Sequence, residues 1–158
     1  MAWGPPDSPR VIAPPPLIYL GMLCAALAVD RLAGVPLLSL SSSHARALGG
    51  ATLAAGVGLA VIATAAFKRV GTNVVPNKPA TALVTNGPFA RSRNPGYIGQ
   101  TLMFVGLAFA LRSASALAAL PPLLVLIDKG VVAREERYLQ RKFGAAFRDY
   151  AGRVPRWL

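Results

Sequence analysis

Four apolar runs alternate with short polar intervals along the chain, at roughly 11–29, 47–67, 96–111 and 114–133. A helix that crosses the hydrocarbon core needs about 20 residues at a rise of about 1.5 Å each. The second run meets that length, and the third is short. Only Arg112-Ser113 separates the third run from the fourth, so the pair predicts a tight helical hairpin. Pro14, Pro15 and Pro16 fall at the start of the first run, where a helix tolerates missing N–H groups. Pro121-Pro122 lies in the middle of the fourth and predicts a bend, because backbone donors are lost there. In the second run Gly50, Ala54 and Gly58 recur every four residues and predict a face on which another helix packs closely. The pattern predicts an all-α polytopic membrane protein with about four transmembrane helices, a C-terminal helical hairpin and a cytoplasmic C-terminal helix.

A length of 158 residues allows one domain, read here as a single membrane-embedded unit over 1–158, with N-terminal helices over 11–66 and a more polar part over 67–158. Hydrophobic residues make up 54% and charged residues 15%, a balance too apolar for an ordinary soluble domain. Lys and Arg number 17 against 6 Asp and Glu. With four spans, fourteen of the basic residues share one side, and Arg31, Arg46 and Arg112 lie on the other. Basic loops stay cytoplasmic, so both termini are expected in the cytoplasm, and the net charge of +11 needs no nucleic-acid partner. Ala26-Leu27-Ala28 looks like a signal-peptide cleavage site, but one Arg precedes the run, three prolines lie in it, and the chain then returns to the membrane. A retained helix is expected. Cys24 is the single cysteine and His44 the single histidine, which removes a disulfide and a two-His zinc site; no metal site is expected.

Polar chemistry concentrates in two stretches, 67–99 and 134 onward, which flank the hairpin and should lie together at one membrane face. Arg91, Arg93 and Asn94 precede the third run, while Arg134, Glu135 and Glu136 follow the fourth. Thr85-Asn86-Gly87-Pro88 is a turn sequence, and Asn94-Pro95-Gly96 opens a helix. Glu135 and Glu136 are adjacent and point about 100° apart on a helix, so they are no ready catalytic dyad. Neither has Lys or Arg three or four residues away, so their partners come from elsewhere, from solvent or from a ligand. By spacing alone the pair reads as a solvated helix face. Asp128 and Lys129 read as a snorkelling pair at the end of the fourth run. A proton-coupled transporter would want a carboxylate deep in a span, and none is found.

The segment Gly87-Pro88-Phe89-Ala90-Arg91-Ser92-Arg93-Asn94-Pro95-Gly96-Tyr97-Ile98-Gly99 resembles a motif of the isoprenylcysteine carboxyl methyltransferase and phospholipid methyltransferase superfamily. The tail is similar to that family's ending, through Glu135-Glu136-Arg137-Tyr138-Leu139, Phe143-Gly144, Phe147, Tyr150 and Arg153-Val154-Pro155-Arg156. The resemblance covers about the last ninety residues, and the first two runs match it only as hydrophobic helices. It implies an integral membrane enzyme using S-adenosylmethionine on the cytoplasmic side, with S-adenosylhomocysteine as product and 67–158 as the catalytic, cofactor-binding part. By position, Arg93, Asn94, Pro95, Tyr97, Gly99, Glu135, Glu136 and Tyr150 would bind the cofactor. Glu135 and Arg153 would be the catalytic residues, with Tyr150 and Arg153 closing the site from the tail.

Asn94 stands where the prenylcysteine enzymes have His, as in the phospholipid N-methyltransferase branch and many bacterial relatives. Asn cannot act as a general base, although it can still bond a cofactor. The acceptor implied is the polar end of a lipid entering from the bilayer, either a phospholipid amine or an isoprenylcysteine carboxylate. The bacterial inner membrane is the expected location. Two other readings stand beside this one: an NADPH-dependent lipid reductase of the steroid type, and a small non-enzymatic membrane protein.

Overall fold

The computed structural model describes residues 7–73 and 78–158, and every regular element among them is helical. Helix α1 spans Pro15–Leu32 and α2 spans Ser42–Arg69. Both are long and apolar enough to cross a membrane. Pro15 and Pro16 occupy the first turn of α1, and the Ser41 side chain caps α2 by accepting from the His44 N–H. Leu17, Leu20 and Val29 on α1, with Val57, Val61 and Ile62 on α2, face outward and are exposed, an arrangement that suits lipid as the surrounding solvent.

Helix α3, Pro95–Ala110, lies against α2 along most of its length. Glycine makes the approach possible. A Cβ on Gly56 would sit 2.6 Å from the Gly99 carbonyl oxygen, and one on Gly106 would sit 2.6 Å from the Leu53 amide nitrogen. Gly49 meets Gly106 and Ala110 in the same way. The packing face is therefore Gly49 and Gly56, seven residues apart, against Gly99 and Gly106, also seven apart. Gly50 and Gly58, expected on this face, have no such neighbour, and Gly50 and Ala54 are exposed. Small residues fill so many positions of α2 that several stripes are sterically open, and the glycines of α3 select which one is buried. Across α3, Tyr19 of α1 bonds Thr101, with 2.8 Å between the hydroxyl oxygens.

Three residues separate α3 from α4, Ala114–Ala118. Ser113 caps α4 and bonds the Asp30 carboxylate, which also accepts from the Ser115 N–H at 3.2 Å. The Arg112 guanidinium donates to the Leu38 carbonyl at 2.9 and 3.2 Å, tying the α1–α2 loop to this turn. Pro121-Pro122 does not bend a continuous helix. The helix ends, and the prolines occupy the first turn of a new one, α5, Leu120–Ile127, where their missing donors cost little. A π-helical turn, Asp128–Val132, joins α5 to α6, Ala133–Phe143. Gly130 in that turn admits Ile12, whose Cδ1 would lie 2.5 Å from a Cβ there, and the Ile12 N–H donates to the Gly130 carbonyl at 3.3 Å. The segment before α1 is thereby seated on the π turn. Gly144, at φ 54°, breaks the chain between α6 and α7, Ala145–Arg153.

Candidate active site

Past α7 the chain runs back extended along the turn that opens α3. The Arg93 N–H donates to the Pro155 carbonyl at 3.0 Å, and the Ser92 hydroxyl and the Asn94 amide donate to the Arg156 carbonyl at 3.2 and 2.9 Å. The Tyr150 hydroxyl donates to the Phe89 carbonyl at 2.8 Å. Phe89 lies in a short 3₁₀ turn, Gly87–Ala90, with its ring 5.0 Å edge-on from Phe67 at the end of α2. The tail, the α3 turn and the end of α2 thus form one polar assembly above the helices.

Within it the two adjacent carboxylates have different fates. Glu136 is clamped by two cations, with Arg93 at 2.9 Å and Arg156 at 2.6 Å. Arg156 also reaches Asp128 of the π turn at 3.2 Å. Arg93 spends its remaining donor capacity on the tail, giving Nη1 to the Ala151 and Val154 carbonyls at 2.8 and 3.3 Å. Glu135 accepts one bond, from the Tyr97 hydroxyl at 2.8 Å, and among the described residues no cation pairs with it. Burial pushes its carboxyl up to about 7, with the Glu136 charge adding to the rise and the Tyr97 bond opposing it. Burial also pushes the Tyr150 hydroxyl up to about 12.

Glu135 faces two adjoining cavities. The larger, about 340 Å³, lies between the start of α1 at Pro14–Pro16, Ala60, Ala63 and Thr64 of α2, and Tyr97 and Gln100 of α3. That is the size of a small-molecule site, typically about 300–1,000 Å³. The smaller, about 100 Å³, lies toward the tail among Tyr138, Phe147 and Tyr150, with Lys78 and Asn73 at its edge. Phe67, Phe89, Arg93, Asn94 and Glu135 wall both. Gln100 carries a buried side-chain oxygen with no hydrogen-bond partner among the described residues. It also lines an apolar groove of about 180 Å³ that runs on between α1 and α3 past Tyr19, Leu23 and Phe104.

The structure brings Arg93, Asn94, Tyr97, Glu135, Glu136 and Tyr150 together around this cleft. Pro95 is buried in the first turn of α3, and Gly99 packs against Gly56 and Ala60 rather than toward the cavity. Arg153 is not brought in: it is exposed and donates to the Asp149 carbonyl of its own helix at 3.2 Å. Arg156, three residues later, is the tail arginine that reaches Glu136 and Asp128. Gln100 and Asp128 were outside the expected set. A helical reading places Gln100 next to Tyr97 and Gly96 on one face of α3, the signal that could have found it. Among the described residues no group of three or more His, Cys, Asp or Glu is placed to hold a metal ion.

The model of the family described as phospholipid methyltransferase matches residues 44–146. A nickel-cobalt-cadmium resistance protein of Alcaligenes xylosoxydans xylosoxydans is 33% identical over 81 residues, 51% of this chain and 38% of its own length. A cobalt-zinc-cadmium resistance protein of Cupriavidus metallidurans is 31% identical over 81 residues, 51% of this chain and 37% of its own. This chain thus spans well under half of either relative. An uncharacterized protein of Haemophilus influenzae is 38% identical over 60 residues, 37% of this chain and 95% of its own length. No solved structure matches.

Proposed function

The chain belongs to the phospholipid methyltransferase family, and from that premise we propose that it is a membrane-embedded, S-adenosylmethionine-dependent methyltransferase whose acceptor is the amine end of a lipid. The observation that carries the acceptor class is the polarity of the larger cavity. Its cation, Arg93, is committed to Glu136 and the tail, and its Asn94 amide is committed to Arg156. Of the two charged groups lining the space, Arg93 and Glu135, only Glu135 is left without a counter-charge among the described residues. A carboxylate acceptor would meet like charge there, whereas a protonated amine meets its complement.

The cofactor suits the same lining. A sulfonium is attracted by a carboxylate and by aromatic faces, and Phe67, Phe89 and Tyr138 stand around the smaller cavity. S-adenosylmethionine, when bound, supplies an activated methyl group, so the protein's task is alignment and management of one proton. Glu135, with its carboxyl at about 7, is poised to take that proton from the amine near neutral pH. The Tyr97 bond holds the carboxylate in place, and the Arg93–Glu136–Arg156 clamp fixes the helix turn that carries it. The apolar groove between α1 and α3 offers a path for an acyl chain, and α3 with α4–α5 completes a four-span bundle with both termini cytoplasmic.

The test is calorimetric titration of the detergent-solubilised protein with S-adenosylmethionine, S-adenosylhomocysteine and NADPH, followed by transfer of labelled methyl to phosphatidylethanolamine or to a prenylcysteine acid. Saturable binding of the first two, with label in the amine lipid, is expected. Label entering only the carboxylate would overturn the acceptor assignment. Binding of NADPH alone would turn the reading to a reductase, and binding of none by folded protein would remove the enzyme reading.

A further inference from the structure

Beside the cleft, on another face of α6, four arginines converge on a shallow cavity of about 330 Å³. It is lined by Pro9, Arg10, Arg134, Arg137 and Arg141. Spacings of three and four residues bring Arg134, Arg137 and Arg141 to one side of the helix. Arg10 arrives from the segment before α1, held at φ 52° by the Arg134 guanidinium, which donates to the Arg10 carbonyl at 3.0 Å. No carboxylate lines the cavity among the described residues. Of the acids on or against α6, Asp7 pairs with Lys142, Asp128 with Lys129 and Arg156, and Glu136 with Arg93 and Arg156, while Glu135 faces the cleft and bonds Tyr97. Like charges at these spacings destabilise a helix unless a counter-charge joins them. A topogenic bias toward cytoplasmic Lys and Arg asks only that the charges be on that side, not that they face a common hollow.

We propose that this hollow is a phosphate-binding site, filled by the headgroup phosphate of an anionic phospholipid. Arg10 lies five residues before the first residue of α1, the level at which an apolar helix leaves the hydrocarbon, and phosphates lie at that depth. Guanidinium forks match phosphate oxygens in pairs, which favours a seated ligand over diffuse attraction. Pro9 walls both this hollow and the smaller cavity of the cleft. A bound phosphate would therefore pin the Pro9–Arg10 segment against α6 and close one side of the cleft. The site rests on the membrane setting and not on the methyl-transfer reading.

The experiment titrates the purified protein in neutral detergent with short-chain phosphatidylglycerol, short-chain phosphatidylcholine, or inorganic phosphate against chloride of equal ionic strength. Three proteins are compared: wild type, the double variant R137Q/R141Q, and the charge-matched control R69Q/R148Q, all four positions being exposed. Saturable binding of phosphatidylglycerol is expected, weakened roughly thirtyfold in R137Q/R141Q, the factor two headgroup-proximal arginines are worth. R69Q/R148Q should bind as wild type. Failure of inorganic phosphate to displace the lipid supports the headgroup as occupant. Displacement keeps the phosphate site and assigns it to a soluble phosphate. Equal weakening in both double variants, or no saturable binding of either phosphate source, overturns the proposal.

Discussion

Replacing Glu135 by Gln removes the cleft carboxylate that lacks a cation among the described residues, while keeping an acceptor for the Tyr97 hydroxyl, 2.8 Å away. Burial raises the Glu135 carboxyl from 4.5 to about 7. Each unit corresponds to about 1.4 kcal/mol, so ionising this group costs the empty folded protein up to about 3 kcal/mol, reduced where water reaches the cavity side. The sign follows from which state lets go of its proton first. Below pH 4.5 the group is neutral in both states, and the variant and the wild type should be similarly stable. Between 4.5 and 7 the unfolded chain ionises while the folded one does not, so wild-type stability falls as pH rises. Above 7 the full cost is present. The glutamine variant carries no such cost, so its advantage over wild type should grow by up to about 3 kcal/mol between pH 4.5 and pH 8. Thermal unfolding of both proteins in neutral detergent, without ligand, at pH 4.5, 6, 7 and 8 measures this difference directly. Taking the difference cancels every other titrating group. Stability curves that run parallel across that range would show that Glu135 is not a buried, uncompensated carboxylate, and its role as proton acceptor would fall with it. The same variant should lose affinity for S-adenosylmethionine, giving a protein more stable at pH 8 and less able to bind.

Gly56→Leu should push α2 from α3, because a Cβ there already lies 2.6 Å from the Gly99 oxygen; a loss of about 1–3 kcal/mol is expected by thermal unfolding. Gly50→Leu, on the outward face, should stay within about 0.5 kcal/mol of wild type by the same measurement. Tyr150→Phe removes the bond to the Phe89 carbonyl and should cost about 1–3 kcal/mol. Because the Tyr150 hydroxyl titrates only at about 12, that loss should be constant from pH 6 to pH 9, and a loss that varied with pH there would point to another cause. Arg93→Met should loosen the tail against the α3 turn, by removing the guanidinium bonds to the Ala151 and Val154 carbonyls, and limited proteolysis should then cut within 151–157 faster than in wild type.

The sequence carried the first three hydrophobic runs and the helices that follow from them, because an apolar run of helix length is a local pattern, whereas the fourth run divides into α4, α5 and a π-helical turn. It carried the two polar stretches and the turn chemistry of Asn94-Pro95, and it told that Glu135 and Glu136 lack partners on their own helix. The stretch containing the family motif was legible because the turn chemistry of its glycines and prolines is local.

Tertiary structure alone decided how those parts divide their work. Adjacent residues on one helix look alike until something twenty or forty positions away reaches one of them, and Arg156 and Arg93 reach Glu136, leaving Glu135 to face the cavity. The end of α7 at Arg153 leaves that side chain outside, and the extended run beyond it brings Arg156 in. Stripes of small residues are equally open along α2 until Gly99 and Gly106 of α3 come within reach of Gly49 and Gly56. Periodicity constrains each helix by itself, whereas ion pairs and backbone contacts depend on distances across the fold, which the linear order of residues does not specify.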